Sequence, residues 1–142
     1  MKINPEKNKE LAINFSKNSP DPPSLTLNNK VIERVKTAKL VGVHLSEDLK
    51  WTTHIEKTCA KANKRIFILT HLRRAGANAS DLLKIYCLLI RPILEYACPI
   101  WSTSIPQYLI DNIESIQKRC LKIICPISTY EEAIKTVKLP TE

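Results

Sequence analysis

His54 and Glu56 stand two residues apart, and His71 follows on what the surrounding pattern predicts to be the same helix. Two imidazoles and a carboxylate are the ligand set of a mononuclear non-haem iron site, the chemistry of oxygen activation. The spacing argues against it. Helix positions two apart point away from each other, and His71 lies over about four turns beyond His54. Carboxylate pairs are the next candidates, because two-metal nucleotidyl transfer needs acidic groups brought together from separate strands. Glu47 with Asp48 and Glu131 with Glu132 are the adjacent pairs, the first just before a predicted helix and the second in a predicted first turn. Both positions favour negative charge through the helix dipole, which accounts for them without catalysis. Glycine occurs only twice, which excludes phosphate-cradling glycine loops, and no Gly-x-Ser-x-Gly elbow is present. The residues therefore predict no catalytic group, no metal, no cofactor and no small-molecule substrate.

Cys59, Cys87, Cys98, Cys120 and Cys125 form no Cys-x-x-Cys pair, and no His or Cys pair at matching spacing makes a zinc site of Cys120 and Cys125. An odd number of cysteines with no secretory signal predicts reduced, buried thiols in the nucleus or cytoplasm. The longest apolar run is too short for a membrane span. What remains is charge. The 142 residues carry 22 Lys plus Arg against 14 Asp plus Glu, a formal net charge of +8, and such an excess favours anionic partners such as nucleic acid.

The elements that must position this charge are an extended first third and a helical remainder, within one compact unit. Leu11, Ile13 and Phe15 alternate like a strand. Ser19–Ser24 is a proline loop, and Asn28–Asn29 suit the positive φ of a hairpin turn. Residues 38–45 read as a strongly apolar third strand, with Gly42 marking a bulge or close backbone approach. The expected product is a small antiparallel sheet. From Trp51 the period changes. Thr53 and Glu56 fit a capping box, and Ile55, Cys59, Ala62, Ile66 and Leu69 fall on one stripe with Lys57, Lys61 and Lys64 opposite. That basic face either tracks phosphates or is simply solvated. Gly76 is placed to end this helix beside Arg73 and Arg74.

Asp81–Ile90 has apolar residues on every face and predicts a buried helix, with Ser80 as its cap and Pro92 kinking or restarting it. Pro99 and Pro106 bound a predicted loop. An amphipathic helix then runs from Gln107 to about Ile124, with Lys118, Arg119 and Lys122 exposed, and Pro126 stops it. A short last helix is expected from Thr129. Trp51 and Trp101 read as core anchors with bonded indole N–H groups. The chain ends with no recognisable terminal motif, which suits a piece of something longer.

Six words occur in one order: INPEKNK at Ile3–Lys9, KLVGVHL at Lys39–Leu45, LKWTTHI at Leu49–Ile55, KANKRIFIL at Lys61–Leu69, RPILEYACPIW at Arg91–Trp101 and IQKRCLKII at Ile116–Ile124. In these words the chain resembles the region after the catalytic palm in reverse transcriptases of non-LTR (LINE-like, Jockey-like) retrotransposons. Asn8 stands where that family usually has Thr or Cys, and Leu40-Val41 replaces an aromatic-Leu pair. The resemblance implies an α+β fold: residues 1–50 as palm-end and primer-grip-like strands, residues 51–142 as a mainly helical thumb-like bundle. It implies a primer grip at Leu40, Val41, Gly42 and Val43. It also implies contacts from Lys57, Lys61, Lys64, Arg65, Arg73 and Arg74 to an RNA–DNA or RNA duplex. The palm aspartates lie outside the chain, so the implied role is binding without catalysis, with the missing palm or another protein as a further partner. The same stretch also resembles the small amino-terminal domain of the AlkB-type tRNA-modifying dioxygenase homologue 8. The iron motif and the methyl-donor loop of that enzyme are absent here.

Overall fold

Local pairing dominates the first part of the chain, and helix packing the rest. The computed structural model describes residues 8–15 and 20–126. Among them are six short strands followed by five helices, an α+β chain. It divides into two compact units, Met1–His54 and Ile55–Glu142, where the sequence leads one to expect a single one.

The strands make three separate two-stranded pairs rather than one sheet. β1 (Lys9–Glu10) lies parallel to β4 (Glu33–Arg34), with Glu10 opposite Arg34. This corrects the expected all-antiparallel arrangement. The alternation at Leu11, Ile13 and Phe15 does not form a strand either. No described strand pairs with this stretch, and Phe15 is exposed. β2 (Thr26–Leu27) and β3 (Lys30–Val31) form the expected hairpin, with Asn28 at φ 52° and Asn29 at φ 61°. The expected third strand is instead a second hairpin, β5 (Thr37–Leu40) against β6 (Val43–Ser46). Its two-residue turn is Val41 (φ 46°) and Gly42 (φ 84°), so Gly42 serves a left-handed turn and not a bulge.

Helix α1 (Thr52–Arg74) buries Ile55, Ala62, Ile66 and Leu69, four residues of the predicted stripe, and half-buries Cys59. It begins at Thr52, which places Thr53 inside the first turn and not at the cap. Its end is a Schellman motif: the Ala77 N–H donates to the Leu72 carbonyl at 3.0 Å and the Gly76 N–H to the Arg73 carbonyl at 3.1 Å, with Gly76 at φ 90°. Helix α2 (Ala79–Leu89) is capped by Asn78, whose side chain accepts from the Asp81 N–H at 2.8 Å. Ser80 lies inside the helix, so the expected cap is two residues too late. Pro92 restarts the chain as α3 (Arg91–Glu95). The segment between Pro99 and Pro106 is not a plain loop. Pro99 starts the single turn α4 (Cys98–Trp101), which a 3-10 turn, Ser102–Ser104, continues.

Helix α5 (Gln107–Ile124) has the predicted limits. Its Ile116, Cys120, Leu121 and Ile124 join Ala62, Ile66 and Leu69 of α1 and Leu82 and Tyr86 of α2 in one core, with Ile90 and Leu94 beside them. Trp101 is buried, and its indole N–H donates to the Tyr96 carbonyl at 2.8 Å. Helix α2 corrects its expectation: Leu82 and Tyr86 are buried, but Leu88 is 74% exposed. One side of a helix reaches this core, however apolar the other side is. The helix expected from Thr129 lies outside the described residues.

Candidate nucleic-acid interface

Helix α1 carries six basic residues, Lys57, Lys61, Lys64, Arg65, Arg73 and Arg74, against one carboxylate, Glu56. All six are exposed. At 100° per residue Lys57, Lys61 and Lys64 fall within about 60° of one another, and Arg65 widens the band by about 40°. The stripe is about 10 Å long from Lys57 to Lys64 at 1.5 Å per residue. It lies opposite Ile55, Ala62, Ile66 and Leu69, so the burial that anchors the helix also fixes the direction of its charge. Among the described residues, Lys61, Lys64 and Arg65 take part in no ion pair. By contrast, Lys118 of α5 is matched by Glu114 at 3.1 Å.

Arg73 and Arg74 do not continue the band. Helical phase carries both well away from it, about 24 Å beyond Lys57 along the axis for Arg73. At the last turn of α1 they meet the negative end of the helix dipole, which gives them a structural role. The structure thus gathers four of the six expected contact residues on one face.

The residues expected to form a primer grip occupy the tip of the β5–β6 hairpin. Leu40, Val41 and Gly42 are exposed, Val41 to 81%, whereas Val43 is buried. Val41 has a left-handed backbone that a β-branched side chain rarely adopts.

The residues considered for metal chemistry do not converge. His54 is buried, and its Nδ1 accepts from the His44 N–H at 3.3 Å. Burial, and then nearby His44, pushes its imidazole below the ordinary histidine value, which suits a neutral acceptor. His71, about 25 Å along the same helix, lies instead against the ring of Phe67. No group of three His, Cys, Asp or Glu able to hold a metal occurs among the described residues. Asp48 accepts from the Ser46 hydroxyl and from the Lys50 N–H at 3.1 Å, bonds that hold its carboxyl below the usual value and tie the turn before α1. The five cysteines are unpaired thiols. Only Cys120 is fully buried, correcting the expectation for the other four, and burial pushes its thiol up to about 11.

Three features escaped the sequence. One is the Phe67–His71 ring pair on the outer surface of α1, stacked with centroids 5.6 Å apart and planes at 28°. Their four-residue spacing was its only signal. Another is the Glu10–Arg34 ion pair at 2.7 Å, in which Glu10 also accepts from the Leu25 N–H at 3.1 Å. Arg34 donates further to the Pro22 carbonyl at 2.7 Å, so these two residues tie the proline loop to β1 and β4. The third is a cleft of about 610 Å³ whose wall includes Asp21, Arg34, Lys36, Glu47 and Asp48, a mixture of both signs with no converging set. No described helix is long and apolar enough to cross a membrane. Compared with known proteins, the chain matches no family model, no curated protein and no solved structure.

Proposed function

We propose that this chain is a non-catalytic fragment of a retrotransposon reverse transcriptase that binds template–primer nucleic acid through the basic face of α1. The observation that carries the reading is the band Lys57, Lys61, Lys64 and Arg65, exposed and turned away from the core. Cations at helical spacing meet the phosphates of an RNA–DNA or RNA duplex and respond to its A-like shape rather than its sequence. The family attribution rests on the ordered sequence words. The β5–β6 tip suits that attribution as a primer-grip-like element, an apolar projection held by a tight turn. On this reading the chain is not an enzyme by itself, takes no cofactor, and works in the nucleus or cytoplasm. Titrating the purified chain into a labelled RNA–DNA hybrid tests it. Binding that weakens steeply with added salt is expected, and failure to bind contradicts it.

A second reading, a protein-interaction module, is favoured by apolar side chains left in solvent, with Leu88 74% and Ile100 60% exposed. Such a module would dock on a polymerase palm or another protein. Concentration-dependent self-association in sedimentation, without hybrid binding, is the outcome that selects it. An accessory domain of an AlkB-like RNA-modifying dioxygenase has no specific observation in its favour.

A further inference from the structure

Phe67 is 71% exposed although it lies on the same helix as the core residues Ile66 and Leu69. Its ring stacks on His71, one turn later, in a near-parallel arrangement. By helical phase this pair borders the lysine band: Phe67 is about 60° around the helix and about 4.5 Å along its axis from Lys64. Phosphate-attracting cations beside an open aromatic face are what binding to single strands requires, because every base has a π-face while paired bases hide theirs within the stack. A purely electrostatic duplex surface has no use for an exposed phenyl ring.

From this juxtaposition we infer that Phe67, braced by His71, takes an unpaired base, so that α1 prefers a junction between duplex and single strand to a continuous duplex. The inference rests on the nucleic-acid reading above and narrows its substrate class. The duplex phosphates meet Lys57, Lys61 and Lys64, and the first unpaired base lies on Phe67. No covalent step is involved.

The test compares three labelled RNA–DNA hybrids titrated with the full chain: one blunt, one with a short single-stranded overhang, and one whose overhang is abasic. The overhang should bind about tenfold tighter than the blunt hybrid, within the range of one base–aromatic stack, and the abasic overhang should behave as blunt. Phe67→Ala should remove the tenfold preference without changing blunt binding or its salt dependence, and Phe67→Trp should keep it. The side chain lies in solvent, so loss of folding does not confuse the result. Equal, salt-sensitive binding to all three hybrids, or a preference that survives Phe67→Ala, overturns this inference alone. Absence of binding to any of them overturns both it and the reading on which it rests.

Discussion

Val41 concentrates the conflict between folding and exposure in this chain. A β-branched residue at φ 46° is strained by about 1–2 kcal/mol, and its side chain gains nothing from burial at 81% exposure. Val41→Asn, which restores ordinary turn chemistry, should raise stability by about 1 kcal/mol in chemical denaturation. If the tip grips a primer, the same variant should bind a hybrid less tightly. Glu10 makes the opposite case, a buried acid satisfied from two directions. The Leu25 N–H and then the Arg34 guanidinium hold its carboxyl below the ordinary value of 4.5. A depressed folded-state value gives stability that is present above the unfolded value and lost as pH falls through the folded one. Unfolding midpoints should therefore drop below about pH 4.5. Glu10→Gln should be less stable than the natural chain at neutral pH and show a shallower acid decline. The Glu10–Arg34 pair was illegible beforehand, because 24 residues separate the partners and neither lies in a local motif.

Among the elements, what the sequence disclosed depended on whether the deciding interaction was local. The burial of α1 and the limits of α5 were legible because apolar residues at spacings of three and four can satisfy only one geometry. The Asn28–Asn29 hairpin was legible because asparagine tolerates positive φ. The β5–β6 turn was missed because valine is not a turn residue. The parallel β1–β4 pair was missed because strand pairing is decided by distant partners. At the second helix the sequence pointed to Ser80 as the cap, and it is the Asn78 side chain that takes the Asp81 N–H. For the candidate site, the direction of the lysines, the departure of Arg73 and Arg74 and the place of Phe67 off the apolar stripe all follow from one helical phase, whereas the stacking of Phe67 on His71 was not legible. The end of α1 offers a clean test of backbone conformation. A Cβ at Gly76 would meet nothing within 4 Å, so Gly76→Ala introduces left-handed strain without a clash. A loss of about 1 kcal/mol in thermal or chemical unfolding is expected, and no loss would mean that the Schellman end does not limit the helix.

For the whole molecule, the charge excess of +8 is a general attraction to polyanions, and it becomes a site only where folding gives it direction. The core among α1, α2 and α5 supplies that direction by burying one side of α1 and leaving its lysine side to solvent. The hairpin tip in the first unit and the basic band in the second are the two surfaces that the proposed origin assigns to primer and duplex. The most direct measurement is the salt dependence of hybrid affinity for the natural chain and for the combined Lys57→Gln, Lys61→Gln and Lys64→Gln variant. The account predicts a linear fall of log affinity with log salt, with a slope shallower by about 2–3 in the variant, close to one unit per lost phosphate contact. Identical slopes for the two proteins, with both still folded, would contradict it.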